Sequence, residues 1–257
     1  MLVALNLLYE ALGDQAAARV VGYASSAREV AVSDGRTVTV RSLVDLVSQD
    51  PSPTTLLHFA FLTRDKVAAL GIDAYTSQNV AITATVLDAV AKHRPRHVVV
   101  ASAGAVHSST GRLVSDLRTD PYGTLKHLDE LAFQTATRDV GGVCVIPRVF
   151  SVAGARMTKP GLYALGSMIE MASAGGPIEV RAVGPVFGRT AASTKSWRLL
   201  CGRGCLVGMS CSTRAAPLWR SRNSRAWWRR STVLMLTLFG VPRIPTLLQI
   251  DTSATVG

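Results

Sequence analysis

Acidic residues, histidines and long apolar runs are scarce in this chain of 257 residues. Seventeen Asp and Glu stand against 28 Lys and Arg, which gives a formal net charge of +11. The five histidines show no metal-ligand spacing, so no metal site is expected. The longest late apolar run, residues 233–241, is shorter than the roughly 20 residues of a membrane-spanning helix. Four cysteines without a secretory signal pattern argue against a disulfide framework and favour a reducing, cytoplasmic setting.

The positive charge is concentrated near the C-terminus. Residues 191–257 hold one Lys and nine Arg against a single acid, Asp251, and so carry +9 of the +11. The same quarter contains all four Trp and three of the four Cys. Two compositions therefore meet near residue 190, and the net charge does not by itself indicate a nucleic-acid partner for the whole chain.

Residues 1–150 alternate between helical and extended patterns. An amphipathic helix is predicted at residues 1–12, with Gly13-Asp14 as its stop signal. Short apolar strands and two long helices follow, predicted at residues 19–23, 37–40, 56–61, 75–92 (helix), from 98, from 122 (helix) and 142–147. This order predicts an α/β fold with a Rossmann-like, doubly wound parallel sheet. No glycine-rich turn precedes the first helix, so the sheet is expected to lack its first strand.

Tyr122 and Lys126 are candidates for acid–base chemistry. They are four residues apart in the second long helix and therefore lie on one helix face. A nearby ammonium group would lower the pKa of the phenol towards neutrality. Such a pair also arises by chance on surface helices, so the spacing alone leaves both interpretations open.

Short motifs in residues 6–187 resemble the extended short-chain dehydrogenase/reductase family, the NAD-dependent epimerases and dehydratases that act on nucleotide sugars. Each motif has a counterpart in that family, and the motifs occur in the family's order. They are LHFA at residues 57–60, NV with Thr83 at 79–80, SAGAVH at 102–107, DPYG with Lys126 at 120–123, PRVF at 147–150 and GPIEV at 176–180.

The resemblance implies an NAD- or NADP-dependent reaction on a nucleotide-activated sugar. Tyr122 would transfer a proton at a sugar hydroxyl, and Lys126 would hold the nicotinamide ribose and lower the tyrosine pKa. The family's catalytic hydroxyl residue aligns with Ala103, so Ser102 is considered only as a substitute. The resemblance further implies a homodimer formed through the two long helices. The residues expected near the cofactor are Phe59, Ala60, Asn79, Lys126, Val149, Ser25 and Arg28.

The residues expected at the adenosine end of the cofactor do not decide between NAD and NADP. The loop after the second strand contains Ser25, Ser26 and Arg28 where the family carries an acid for NAD. Small hydroxyl residues followed by arginine would suit the 2′-phosphate of NADP. A solvated loop arginine is the alternative.

Other departures lead to a second hypothesis, a non-catalytic member that binds a nucleotide or a protein. The glycine-rich turn is missing, Ala103 replaces a hydroxyl residue, and Phe61 places bulk where the family has a small residue. Lost phosphate binding and lost transition-state hydrogen bonds each reduce rates by orders of magnitude. The resemblance divides the chain into a cofactor domain (residues 1–150), the start of a substrate domain (151–187) and an anomalous basic tail (188–257).

The tail itself has two interpretations. Residues 188–198 can be encoded by a DNA sequence that, read in a frame shifted by one base, encodes RSYCSVDEVVA. The family resemblance predicts a sequence of this kind at this point. The codons were chosen to give this match. A single-base deletion near codon 188, in a chain also truncated at its N-terminus, would explain the change of composition, and sequencing the locus tests it. Alternatively, the arginines and tryptophans of residues 220–230 form a surface for nucleic acid or an anionic membrane.

Overall fold

The computed structural model describes residues 2–153 and 159–179 and three short strands further along the chain. Helices and strands alternate through the first 150 residues, as the sequence pattern predicts. The helices are α1 (Leu2–Leu12), α2 (Ala16–Arg19), α3 (Val67–Leu70), α4 (Ile72–His93), α5 (Pro121–Asp139) and α6 (Ala164–Ser173). Single 3₁₀ turns lie at Gly13–Gln15, Leu43–Leu46, Arg64–Lys66, Gly104–Val106 and Pro160–Leu162.

Twelve strands are described, and seven of them form one sheet. In chain order the strands are β1 (Val20–Ala24), β2 (Arg28–Ala31), β3 (Thr37–Ser42), β4 (Thr55–His58), β5 (His97–Val100), β6 (Ser102–Ala103), β7 (Val143–Val145), β8 (Pro147–Val149), β9 (Ser151–Ala153), β10 (Thr190–Ala192), β11 (Met209–Cys211) and β12 (Val233–Leu236). The large sheet has the order β2-β3-β1-β12-β4-β5-β7, and every pair except β2–β3 is parallel.

The fold is therefore a Rossmann-like α/β fold with a parallel sheet. In the described part of the chain no strand precedes α1, and the position between β1 and β4 is filled by β12 from the tail. The remaining five strands form two small sheets, β11-β8-β6 and β10-β9.

Three local differences from the sequence pattern follow from packing. Residues 28–31 form β2, an antiparallel partner of β3, although the loop was expected to continue as far as Arg28. The strand expected at residues 56–61 ends at His58, after which the buried chain segment leaves the sheet. A two-residue strand, β6, follows β5 and pairs with β8, which brings Ser102 beside Arg148.

The hydrophobic core has two parts, one on each face of the sheet. Leu56 belongs to the cluster that includes α4 and α5, whereas Leu57 belongs to the cluster that includes α1. Adjacent strand residues point to opposite faces, so a strand in this sheet must be apolar on both sides. The carboxyl ends of β4 and β5 therefore emerge at one edge of a sheet that is covered by helices on both faces.

Residues 159–179 lie in the segment for which the sequence predicts the start of a substrate domain. Lys159 forms an ion pair with Asp65, which ties this segment to the 3₁₀ turn after β4. Most of the predicted basic tail, including residues 220–230, lies outside the described residues. Among the described helices, none is long and apolar enough to cross a membrane.

Candidate active site

The beginning of α5 positions Tyr122 and Lys126. Asp120 is the N-cap residue: its carboxylate accepts a hydrogen bond from the Gly123 amide at 2.9 Å, and Pro121 occupies the first helical position. Gly123 packs so closely against the Gly104–Val106 turn that an added Cβ would lie 2.2 Å from the carbonyl oxygen of Ala105. This contact holds the first turn of α5 against the loop that follows β5 and β6.

Lys126 points into the protein interior. The residue is 5% exposed, and its Nζ donates to the carbonyl oxygen of Ala101, just beyond β5, at 2.9 Å. The Asp129 carboxylate lies 3.8 Å away. Burial lowers the pKa of Lys126 to about 8, and the nearby Asp129 and Glu130 oppose this shift. An ammonium carries three donor hydrogens, so the Ala101 contact leaves donor capacity for a ligand.

Phe61 contacts both Lys126 and Tyr122. The Phe61 ring centroid lies 3.6 Å from Lys126 Nζ, and the same ring makes an edge-on contact with Tyr122, with centroids 5.8 Å apart. Phe61 is 2% exposed. The aromatic side chain that the sequence identified as unusually bulky therefore contacts both members of the candidate pair.

The expected lowering of the Tyr122 pKa by Lys126 does not occur in this arrangement. Burial raises the pKa of Tyr122 to about 12, with a further increase from Tyr163. The Arg64 guanidinium lies over the Tyr122 ring at 5.5 Å and lowers the pKa, but this effect is smaller than that of burial. In this arrangement the loss of water on burial outweighs the neighbouring charges, and the lowering of the Tyr122 pKa by Lys126 stays a prediction.

These residues fit the nicotinamide end of a dinucleotide on one condition. Tyr122 and Lys126 lie on one face of α5, at the carboxyl edge of the sheet where ligands of such folds bind. The spare donors of Lys126 suit ribose hydroxyls. Because the Phe61 ring covers the amine, the ring must move before Lys126 can reach a ribose.

The Ser102 side chain forms a hydrogen bond with Glu130. Its hydroxyl donates to Glu130 Oε1, and Glu130 also accepts two hydrogen bonds from Arg148, at 2.8 and 2.6 Å. Arg148 Nη1 lies 2.8 Å from His107 Nε2. Because arginine can only donate, Nε2 is the accepting nitrogen and Nδ1 donates to the carbonyl oxygen of Gly111. This network connects β6, β8 and α5 beneath the site.

Sequence reasoning missed Glu130 as part of the site. The residue is 2% exposed although it is a carboxylate. Its position one helical turn after Lys126 on an otherwise apolar face was an available signal, because a buried carboxylate needs a cationic partner. Arg148, which the sequence placed only within a motif, is that partner.

The predicted cofactor-binding residues are spread along the carboxyl edge of the sheet. Phe59 and Ala60 directly follow β4 and are buried, in the α1-side and the α4-side cluster respectively. Asn79 is 1% exposed; its Oδ1 accepts from the Leu62 amide at 2.8 Å, and its Nδ2 donates to the Tyr75 carbonyl. Asn79 thus holds the segment that contains Phe61.

The other predicted cofactor contacts lie at the end of β8 and around the turn between β1 and β2. Val149 is half-buried at the end of β8, which pairs with β6. Ser25 is exposed just after β1, and Arg28 is half-buried at the first position of β2. The hydroxyl and guanidinium groups that would select NADP are therefore on either side of one short turn.

His58 lies buried near the site without polar contacts. It is 1% exposed, its ring packs on Phe133 with centroids 4.8 Å apart, and neither ring nitrogen has a hydrogen-bond partner in the described structure. Burial lowers the pKa of His58 to about 3, and the Lys126 charge adds to this shift. The imidazole is therefore neutral at physiological pH.

The outer surface of α4 and α5 carries a shallow pocket of about 100 Å³, lined by residues of both helices. Val80, Leu128 and Leu131 around it are 50–53% exposed. In the described residues, no cluster of three or more His, Cys, Asp or Glu could hold a metal ion.

Comparison with solved structures identifies the same fold in sugar-nucleotide enzymes. A double mutant of dTDP-glucose 4,6-dehydratase from Streptomyces venezuelae, solved with NAD, is 16% identical with a TM-score of 0.58, and the alignment covers 93% of this chain and 72% of that one. UDP-N-acetylglucosamine 4-epimerase from Methanobrevibacter ruminantium is 16% identical with a TM-score of 0.53, covering 76% and 69%. UDP-glucose 4-epimerase from Thermotoga maritima is 16% identical with a TM-score of 0.53, covering 67% and 61%.

The chain spans only part of such proteins, about half (51%) in the case of a Bacillus cereus UDP-glucuronic acid 4-epimerase. No curated protein sequence matches it. A family model does match: the NAD dependent epimerase/dehydratase family aligns with residues 7–185. The match ends close to residue 187, where the motifs also end and the composition changes. With most of its length aligned to this model and a Rossmann-like fold, the chain belongs to the NAD-dependent epimerase/dehydratase family.

Proposed function

We propose that this protein binds NAD or NADP and acts on a nucleotide-activated sugar, with Tyr122 as the proton-transferring group and Lys126 as the ribose-binding group. The observation that carries the proposal is the placement of both side chains by one capped helix at the carboxyl edge of β4 and β5. Family membership supports the chemistry, and the solved enzymes of the same fold act on UDP- or dTDP-linked sugars.

Tyr122 and Lys126 have different roles in the proposed reaction. A bound nicotinamide would accept a hydride from the sugar and return it. Tyr122, with a pKa of about 12, is protonated at neutral pH and so donates a hydrogen bond to the reacting sugar oxygen. When the Phe61 ring moves and Lys126 turns towards the ribose, its positive charge lies closer to the phenol and lowers the phenol pKa. Tyr122 can then release its own proton to solvent and, as the phenolate, accept the proton of the sugar hydroxyl.

Ser102 is not part of this proposed proton transfer, because its hydroxyl is held by Glu130. We infer that Ser102, Glu130 and Arg148 instead position the strand ends around the site. Asn79 positions the Phe61 segment in the same way, through the Leu62 amide. Phe59, Ala60 and Val149 offer backbone contacts to the cofactor, and Ser25 and Arg28 lie at its adenosine end.

Isothermal titration with NAD and NADP tests cofactor binding. We expect saturable heat for the wild type and tighter binding for Phe61→Leu, which removes the ring over Lys126. Phe59→Leu is the matched control, since Phe59 is equally buried (6% exposed) but belongs to the other core cluster. A chain that shows no saturable heat with either nucleotide, in the wild type or in Phe61→Leu, would contradict the proposal.

A turnover assay tests the role of Tyr122. The full chain is incubated with NAD and UDP-galactose or dTDP-glucose, and products are separated by chromatography. Tyr122→Phe should bind NAD as the wild type does but form no product. Equal turnover by Tyr122→Phe and the wild type would show that another group transfers the proton.

A second candidate function, nucleotide binding without turnover, is favoured by one observation: the Phe61 ring lies against the Lys126 amine and also contacts Tyr122. The two candidates differ in a single measurement. With NAD bound, an active enzyme converts the sugar nucleotide at a rate that depends on Tyr122, whereas a binding protein shows saturable heat and no conversion.

We also propose a homodimer in which α4 and α5 of two copies pack together. The apolar residues Val80, Leu128 and Leu131 are exposed on these two adjacent helices, and the shallow pocket lies between them. Burying such a face against a second copy would remove apolar surface from water. The expected partners are thus a nucleotide sugar and a second copy of this chain, and nucleic acid is not part of the proposal.

A further inference from the structure

The central position of the large sheet is occupied by a strand from the far end of the chain. β12 pairs in parallel with β1 on one side and with β4 on the other. Position 234 is the register partner of both Val21 and Leu56, so β1 and β4 are separated by two strand spacings, roughly 10 Å. They are too far apart to form hydrogen bonds with each other.

Without β12, the facing edges of β1 and β4 would form an open slot in a buried sheet. Tyr23 and Leu56 on these edges are 0% exposed, and Val20 is 3% exposed. Backbone N–H and C=O groups in such surroundings must be paired. Both neighbouring strands run in the same direction, so a parallel strand satisfies both edges at once.

The sequence of the tail segment suits this position. Residues 233–236 read VLML, and a strand covered on both faces needs consecutive apolar residues. By register, position 234 lies between Val21 and Leu56, and position 235 lies between Gly22 and Leu57. Both positions are filled by large apolar residues.

We propose that the slot between β1 and β4 is a strand-acceptor site and that its occupant is residues 233–236 of the same chain. The tail therefore completes the sheet that binds the cofactor, although it follows the family-like region by more than 40 residues. This inference concerns the sheet alone and holds whether or not the protein turns over a sugar nucleotide.

Cysteine cross-linking in the full chain tests the register without disrupting the strand. Register partners in neighbouring strands lie within the Cα separation that a disulfide spans, about 4.4–6.8 Å. Leu234→Cys combined with Val21→Cys should form a disulfide on mild oxidation, and so should Leu234→Cys combined with Leu56→Cys. The linked peptides are identified by mass spectrometry after proteolysis, which distinguishes them from any product of the native cysteines.

The matched control is Leu234→Cys combined with Leu57→Cys. Residue 57 is shifted by one position and points to the opposite face of the sheet, so this pair should not cross-link. Equal linkage of the Leu56 and Leu57 pairs would overturn the proposed register. Linkage to only one of β1 and β4 would overturn the central position, and linkage found only in covalent dimers would show that the strand comes from a second copy.

Hydrogen exchange provides a second, independent measurement. Leu234→Pro removes one ladder hydrogen bond and clashes with the strand, whereas Leu234→Val keeps a strand-forming residue. We expect Leu234→Pro to lose protection at alternate amides of β1 and β4, and Leu234→Val to retain it. Unchanged protection in Leu234→Pro would contradict the proposal even if cross-linking succeeded.

Discussion

His58→Leu should stabilise the protein and flatten the pH dependence of its stability. His58 is buried against Phe133, and both ring nitrogens lack a hydrogen-bond partner in the described structure. A buried polar group without a partner costs about 1–3 kcal/mol. Leucine removes that cost and fills most of the space, so we expect the free energy of unfolding to rise by about 1 kcal/mol at pH 7 after imperfect packing is included.

The larger effect appears in acid. The pKa of His58 falls from 6.5 to about 3 on folding, so between these values the unfolded chain binds more protons than the folded protein. The unfolding free energy therefore reaches its full value, as far as His58 affects it, above pH 6.5, and it decreases as the pH falls below that value. Each pH unit corresponds to about 1.36 kcal/mol, which gives a loss of about 2 kcal/mol between pH 6.5 and pH 5.

Urea unfolding of the wild type and the variant at pH 7 and pH 5 measures both effects. The difference in unfolding free energy between the variant and the wild type should grow by about 2 kcal/mol at the lower pH. His93→Leu is the control, because His93 is also buried but contacts Ser52 and the carbonyl oxygen of Leu46 through its two nitrogens. That variant should be less stable than the wild type at pH 7.

Two results would refute this reasoning. If His58→Leu keeps the wild-type difference between pH 7 and pH 5, the folded imidazole takes up a proton and is not held neutral by burial. If His58→Leu and His93→Leu are equally destabilising at pH 7, the two rings have equivalent polar contacts.

Three further predictions concern α5. Lys126→Met should abolish turnover and change the pH dependence of stability. The wild-type amine has a pKa of about 8 when folded and 10.5 in its ordinary state, so wild-type stability should rise between those pH values, and the variant should lack this rise in urea unfolding. Asp120→Ala removes the N-cap of α5 and should lower the unfolding free energy by about 1 kcal/mol in the same assay. The control Asp116→Ala, outside the helix, should lower it less. Equal losses of unfolding free energy in the two variants would contradict the capping role of Asp120. Leu128→Glu should shift the protein from dimer to monomer in sedimentation analysis. Leu113→Glu should not, although Leu113 is nearly as exposed as Leu128 (48% and 50%, respectively). A monomeric wild type would contradict the proposed dimer.

The sequence predicted the alternation of helices and strands because each local pattern agreed with the final environment. Runs such as VVV after His97 are apolar on both faces, and β5 is indeed covered by helices on both sides. The partner of Glu130 could not be identified from the sequence, because Arg148 lies 18 residues further along the chain, on β8.

The electrostatics of Tyr122 were also beyond the sequence. A four-residue spacing correctly placed Tyr122 and Lys126 on one face of α5, but the interaction between them depends on what fills the space between. Phe61 comes from the segment after β4, and Asn79 on α4 holds that segment through Leu62. Phe61 and Asn79 thus affect the chemistry of the pair, and it is the family resemblance, not the four-residue spacing, that associates them with the site.

The central strand shows why an anomalous tail can still take part in a family fold. A central parallel strand must supply backbone hydrogen bonds on both edges and apolar side chains on both faces, and neither requirement specifies a particular sequence. Four consecutive apolar residues with no proline meet both, and residues 233–236 do so in register with β1 and β4. Phosphate binding is more demanding, because it needs a glycine-rich turn leading into a helix N-terminus. A strand from the tail therefore completes the sheet but supplies no glycine-rich turn, and so we expect disruption of β12 to reduce stability more than it changes the preference between NAD and NADP.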